Sequence, residues 1–319
     1  MAHEKYDVII IGGSYAGLSA AMSLGRSLRK VLVIDSNNPC NKQTPHSHNF
    51  LTNDGVAPAE LHEKARLQVL HYPTVEFRAG LVTDVVPDNE LFDVVTEKQE
   101  RFTARKIIFA TGVIDTIPNI PGFAECWGIS ILHCPYCHGY EAKYQKTGIL
   151  GNGDTGFELA KTISHWTRDL TIYTNGTSTL SPEQVHLLGR KNISIVQNEI
   201  DSFSHDNGCI HQIVFKDADP ETIQAMYTKL PFVQQCDIPA RLGCNMTDGG
   251  FIKIDKCLAT SIPNIYAVGD CLTLQRSVAN AVHSGNKVGA IINKEFIDEE
   301  FYDDEYAQEL KKAANSGLL

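Results

Sequence analysis

One pattern occurs twice in this chain, and that repetition limits the available folds more than any other feature. In the first copy, residues 6–11 form a short β-branched run that ends in the turn GGSYAG (12–17). Residues 16–28 then have helical character, KVLVI (30–34) reads as a second buried strand, and Asp35 closes it. The second copy runs from a strand at 146–150 through GNGDTG (151–156), a helix over 157–166 and a strand LTIY at 170–173. Two parallel strands need a crossover, so each copy predicts a βαβ unit, and its glycine turn sets helix N–H groups against a pyrophosphate. Gly12 permits the tight turn, Gly13 and Ala16 line it, and Gly17 lets the helix approach the sheet. Asp35 lies 18 residues past Gly17, where a carboxylate accepts both ribose hydroxyls. Ser14 replaces the usual middle glycine and puts a side chain where backbone would meet phosphate.

Between the two copies the pattern changes to short strands, VEF, LVTDVV, LFDVVT, RFTA and KIIFATG, followed by the proline-rich stretch IPNIPG (117–122), which predicts a hinge. Further strands are expected at 193–197, 210–215 and 251–254. The segment TSIPNIYAVGDC (260–271) precedes a helical stretch over 278–301. A chain of 319 residues exceeds what one core usually serves, so two domains are expected. A net charge of −10 argues against a nucleic-acid footprint or an anionic membrane surface. No apolar run approaches the ~18 residues of a membrane span, and the run before the first glycines is too short for a signal-peptide core. The 9 cysteines are odd in number and irregular in spacing, unlike a secreted disulfide framework, so a cytoplasmic protein with mostly reduced thiols is expected. The acidic run DEEFYDDEYAQE (298–309) reads as a solvated helix face.

In such a compartment the stretch LHCPYCHGYE (132–141) is the candidate reactive site. Its CxxC is a redox centre, half of a metal site, or a pair of inert thiols. His133, Cys134, Cys137 and His138 are all metal-ligand types, but a tetrahedral structural site takes a second ligand pair at defined spacing, and none is evident. No metal is therefore expected. Pro135 suits the first turn of a helix, and a thiol at a helix N-terminus has its thiolate favoured. In the second glycine copy Gly151, Gly153 and Gly156 support a nicotinamide nucleotide's pyrophosphate. Residues 174–178 (TNGTS), however, offer neither the base that pairs a 2′-phosphate nor the acid that pairs a 2′-hydroxyl. Two alternatives stand: a weak site with determinants elsewhere, or a domain that keeps the fold without that ligand.

GGSYAG with Asp35, ATG at 110–112, CPYC at 134–137, GNGDTG and TSIPNIYAVGD at 260–270 occur in the order of the low-molecular-weight thioredoxin reductase family, which the chain resembles over nearly its whole length. The resemblance implies an α/β fold of two Rossmann-like, three-layer dinucleotide-binding domains. An FAD domain (1–116 and 242–319) would be interrupted by an inserted nicotinamide-type domain (117–241) carrying the CxxC. It implies FAD as cofactor, with NAD(P)H use open, and it implies a homodimer. It also implies that Cys137 faces the flavin while Cys134 exchanges with substrate; His138, an imidazole whose unperturbed pKa of ~6.5 lies close to working pH, is the candidate general acid/base. Ala110, Thr111, Gly112, Gly269, Asp270, Val278 and Ala279 would line the flavin, as would Asn49. His46 and His48 beside Asn49, and His283, read either as surface histidines or as bases near the flavin. CHGYE, where thioredoxin reductases usually carry an aspartate in place of His138, resembles most the small-molecule dithiol oxidases of the gliotoxin and holomycin type. Electrons then pass between a substrate dithiol or disulfide and FAD, with oxygen or another carrier as the far partner. The substrate is a small molecule or a thioredoxin-like protein. The rival is a conventional NAD(P)H-dependent thioredoxin-disulfide reductase, and a redox-sensing flavoprotein without turnover is the rival of a different class.

Overall fold

The computed structural model describes residues 4–302, so residues 303–309 of the acidic run lie outside the described residues. The chain forms two compact units, one of residues 1–39, 62–113 and 234–319, the other of residues 40–61 and 114–233.

The first unit is organised by a seven-stranded sheet. Val75–Ala79, Val31–Asp35, Lys5–Ile11 and Arg101–Phe109 lie side by side and parallel, and Leu91–Thr96 and Val82–Asp88 extend the sheet as antiparallel neighbours. Ile265–Ala267 also pairs parallel with Arg101–Phe109. RFTA and KIIF were expected as separate strands, but they are one nine-residue strand. Its first half pairs with Leu91–Thr96 and its second half with Ile265–Ala267. The charged residues in its middle do not break it, because Lys106 is satisfied where it is buried. Its Nζ donates to Asn264 Oδ1 (3.0 Å), Glu295 Oε2 (3.0 Å) and Glu299 Oε1 (2.8 Å). In the central strands the apolar run is unbroken: Val8, Ile9, Ile10 and Val31–Val33 are fully buried, as strands covered on both faces must be.

Two helices close this unit. Tyr15–Arg26 begins four residues after the first strand, and Val278–Phe301, 24 residues long, returns from the far end of the chain to lie against it. The approach is close enough that a Cβ at Gly285 would stand 2.1 Å from the Ala16 carbonyl oxygen, and Ser19 Oγ donates to Val282 O at 2.7 Å. Arg29 and Arg105 pair with Glu300, and both guanidinium groups lie over the Phe296 ring.

The second unit holds a five-stranded parallel sheet in the order Ser194–Val196, Leu170–Tyr173, Thr147–Leu150, Ala225–Thr228, Ile131–Leu132. A three-stranded antiparallel sheet, Ile200–Asp206, Cys209–Phe215 and Glu221–Thr222, stands beside it, and Phe123, Trp127, Phe203 and Phe215 share a core with Tyr173. Residues 40–61 belong to this unit, where Gln43 Nε2 donates to the Trp127 carbonyl. The helix expected over 157–166 begins at Gly153, because the glycine turn is itself the first helical turn. The strand expected at 251–254 is absent; Ile252 makes only an isolated bridge to Met246.

Two expectations follow from this packing. Gly285→Val forces a branched side chain into a helix contact with no room for it, so stability in urea unfolding should fall by about 2–3 kcal/mol. Burial pushes the Cys126 thiol up to about 11 and the Cys271 thiol up to about 12, whereas Cys209 is exposed. Iodoacetamide at pH 7 should therefore label Cys209 in the folded protein and reach Cys126 and Cys271 only on unfolding, as peptide mass spectrometry would record.

Candidate active site

In the first unit the parallel strands all end at one edge, and the nucleotide-type residues collect there. Ile11 is in register with Ile34 and with Phe109, and Phe109 with Ala267. The residues that follow these ends are Gly12–Gly17, Asp35, Ala110–Gly112 and Gly269–Asp270. Sheet topology therefore brings together at the carboxyl edge what the sequence scatters from its first glycine turn to its last strand. Gly12 takes φ +103°, and a Cβ there would meet the Ala110 carbonyl oxygen at 2.4 Å; at Gly17 it would meet Gly12 O at 1.9 Å. Backbone therefore packs directly on backbone at Gly12 and Gly17, with the Ser14 side chain in the middle of the turn.

Whether FAD fits this edge can be tested on its polar groups. Ser14 is the N-cap of the helix Tyr15–Arg26, yet its hydroxyl makes no capping bond and the first turn carries no acid, which suits an anion at that helix end. Gly13 N–H donates to Asp35 Oδ1 at 3.0 Å, which fixes the carboxylate at the strand end. His62 Nε2 bonds the Gly13 carbonyl at 2.9 Å, a turn contact that no motif announced. The buried Thr111 hydroxyl has no hydrogen-bond partner among the described residues. Gly269 N–H donates to Ser284 Oγ (3.1 Å), which ties that loop to the helix Val278–Phe301, while Asp270 Oδ2 lies 3.7 Å from Arg276 Nε. Val278 and Ala279 open the same helix, capped by Ser277 Oγ accepting from Asn280 N–H. The edge fits a dinucleotide. His283 is exposed on that helix, and Asn49 lies in the other unit.

The second unit uses the same principle. Ile131–Leu132 and Thr147–Leu150 both run parallel to Ala225–Thr228, so the residues after them emerge at one carboxyl edge. After the first comes the CxxC, after the second the turn Gly151–Gly156. Cys134 and Cys137 are joined in a disulfide with Cα atoms 5.4 Å apart, so neither sulfur is left as a thiolate metal ligand. Cys134 is the N-cap of a one-turn helix, Pro135–His138, with the proline at its first position. In the glycine turn, Asn152 takes over a role that sequence spacing hid. Its Oδ1 accepts from the N–H of Gly153 (2.9 Å) and of Thr179 (2.8 Å), and its Nδ2 donates to Thr177 O (2.8 Å). The uncharged 174–179 loop is thereby stitched to the turn.

Around the disulfide stands a cluster of imidazoles and carboxylates. The His138 and His48 rings meet edge to face, centroids 6.4 Å apart at 88°. His48 Nδ1 lies 3.6 Å from Asp54 Oδ1 and 3.6 Å from Glu141 Oε1. The loop that carries His48 is closed by Ser47 N–H to Val56 O and Gly55 N–H to Ser47 O, both 2.8 Å. Asp54 Oδ1 also accepts from Asn49 N–H at 2.7 Å, and His46 Nδ1 bonds Gly55 O at 3.0 Å. Burial and the neighbouring His48 hold the His138 pKa below the usual imidazole range, against the opposite pull of Glu141. No motif marks Asp54 in the sequence, whereas Glu141 closes the CHGYE segment (137–141). Glu141 stands three residues past His138, a one-turn spacing that could have singled it out, whereas the meeting of His48 with His138 leaves no local trace.

A family model of the pyridine nucleotide-disulphide oxidoreductases matches residues 6–285. The chain is similar to thioredoxin reductase tcpT of Claviceps purpurea, with 30% identity over 302 residues that cover 91% of this chain and 94% of that one. Among solved structures it is similar to an oxidoreductase from Agrobacterium tumefaciens, at 34% identity and a TM-score of 0.86 over 92% and 99% of the two chains. It is also similar to HlmI, at 29% identity and a TM-score of 0.90 over 99% of each chain. The architecture is that of the low-molecular-weight thioredoxin reductases, two Rossmann-type α/β units. The chain therefore belongs to the pyridine nucleotide-disulphide oxidoreductase family, as a thioredoxin-reductase-like, FAD-dependent thiol–disulfide oxidoreductase with Cys134–Cys137 as its active-site disulfide.

Proposed function

We propose that this enzyme is a disulfide reductase fed by NAD(P)H, in which Cys134 and Cys137 hand an electron pair to a thioredoxin-like protein or a small disulfide. The observation that carries the reading is the shared carboxyl edge of the second unit's sheet, from which both the disulfide and the Gly151–Gly156 turn emerge. The likeness to thioredoxin reductase tcpT over nine-tenths of the chain supports the same direction and weighs against the doubt about nicotinamide that residues 174–178 raised. In the proposed division, residues 1–116 and 242–319 hold FAD and residues 117–241 hold the nicotinamide nucleotide. The Gly12–Gly17 turn with Asp35, Ala110–Gly112, Gly269–Asp270 and Val278–Ala279 would bind the flavin. Gly151, Gly153 and Gly156 would bind the nucleotide's pyrophosphate.

Bound FAD supplies a two-electron store between nicotinamide and disulfide. The rest of the chemistry belongs to the chain's own sulfurs and imidazole. Reduced Cys134 gives its thiol proton to neutral His138 and, as thiolate, attacks one sulfur of the substrate disulfide. The displaced substrate thiolate takes a proton from His138, and the other substrate sulfur stays bonded to Cys134. Cys137 thiolate then attacks the Cys134 sulfur, which releases the second substrate thiolate and restores the enzyme disulfide. Two electrons have passed to the substrate, and two protons accompany them.

One observation favours a second reading, oxidation of a small dithiol with the pair leaving to oxygen. The 174–179 loop is uncharged and tied to Asn152, so no guanidinium stands there for a 2′-phosphate. Anaerobic addition of NADPH, and separately of NADH, decides between the readings. Prompt loss of the oxidised-flavin absorbance is expected with at least one of them. A flavin that stays oxidised with both nucleotides yet is reduced by a dithiol transfers the assignment to the oxidase. Replacing Cys137 with serine should lower disulfide turnover by roughly 10³-fold or more while leaving nicotinamide reduction of the flavin intact, measured in parallel assays.

A further inference from the structure

The loop of residues 46–56 is remote in sequence from the CxxC, yet it contributes the group that faces His138. The groups around this imidazole come from every neighbouring element. On its own short helix are Cys134 and Cys137, which do not titrate while bonded to each other. On the following turn is Glu141. On the loop are His48, Asp54 and His46. On the strand Ala225–Thr228 is Tyr227, whose buried hydroxyl has no hydrogen-bond partner among the described residues and is kept protonated by burial and by Glu141.

We propose that His48, held between Asp54 and Glu141, is a positioning residue that decides whether His138 carries its proton, so that the 46–56 loop tunes thiol exchange at Cys134–Cys137. The proposal rests on the reading of His138 as the general acid/base. Two carboxylates lie 3.6 Å from His48 Nδ1 and hold its ring in place. That ring stands edge-on to His138 and opposes a positive charge there, in a half-buried place where water screens poorly. The loop holds that geometry through the Ser47–Val56 bridge and through Asp54, which binds the Asn49 N–H as well as facing His48. His138 is thereby kept as neutral imidazole, able to take the proton of the Cys134 thiol before passing it to the displaced substrate thiolate. Glu141 acts on both rings, attracting a proton to His138 directly while holding His48 in place.

Removing the His48 imidazole takes away the opposition to a positive charge on its neighbour, so His138 should protonate at higher pH. Removing the Glu141 charge takes away an attraction, so it should protonate at lower pH. The test follows the His138 ring by NMR in the FAD-loaded protein, its signal assigned by loss in His138→Asn, alongside the pH profile of disulfide turnover. In His48→Gln the titration midpoint should rise by about 0.5–1 pH unit, and in Glu141→Gln it should fall by a similar amount, with the acidic limb of the turnover profile moving the same way in each. A merely structural role would lower turnover without moving the two midpoints in opposite directions. A midpoint unmoved in either variant, or moved the same way in both, overturns the proposal. Should His48→Gln not fold, His48→Asn takes its place in the same titration, with the same upward shift expected. If His138→Asn leaves the acidic limb in place, the general acid/base reading fails instead, and the ring titrations still judge the coupling.

Discussion

The contact between Gly285 and the Ala16 carbonyl holds the first unit together in a way no strand pairing does. This unit is assembled from three separated pieces of chain, and residues 114–233 form another body between the second and third. Apart from that helix-to-helix contact, the last piece is anchored by the three-residue strand Ile265–Ala267, by Arg241 on Asp84 and by Ile238, Cys244 and Ile252 in the sheet's core. The long helix is then secured by charge as well as by shape. Glu295 and Glu299 meet the buried Lys106, Glu300 meets Arg29, and Tyr266 donates to Glu295. A buried ammonium with three oxygen partners costs little once formed, but it tolerates no missing partner. The network thus specifies which face of the helix is turned inward.

Function follows from the edges that this closure completes. Parallel strands deliver their loops to one side, and both units use that side for glycine turns. In the first unit the turn ends at a helix whose N-cap, Ser14, makes no capping bond, which suits a phosphate. In the second the turn is covered by Asn152 and the hydroxyl-bearing loop it binds. Two copies of one motif therefore differ in chemistry because of a side chain in the middle of the second. The disulfide emerges beside that second turn, and its reactivity is shaped by neighbours drawn from residues 46–56 as well as from its own segment.

Much of this is readable along the chain. The βαβ copies, the helix over 278–301 and the pairing of Cys134 with Cys137 are legible because each depends on local periodicity or on a spacing of a few residues. The strand Arg101–Phe109 reads as two because Arg105 and Lys106 look like an interruption; only Asn264, Glu295 and Glu299, far along the chain, explain how Lys106 is buried. The segment at 251–254 has strand composition but meets no partner edge, so Ile252 forms a single bridge. Asn152 occupies the variable position of a glycine motif, where spacing assigns it no role. Asp54 and His62 carry no pattern that singles them out.

By itself, the sequence determined the two nucleotide-type turns, the order of the motifs and the redox pair, since these rest on backbone freedom at glycine, on strand and helix periodicity and on the reach of a CxxC. The tertiary structure alone decided which distant groups meet: Gly285 with Ala16, Lys106 with the acidic face of the last helix, and His48 with His138 and Glu141. The reason is physical. Hydrogen bonds within a turn depend on neighbours a few residues away, whereas burial and the field around an imidazole depend on everything packed within several ångströms, wherever in the chain it originates.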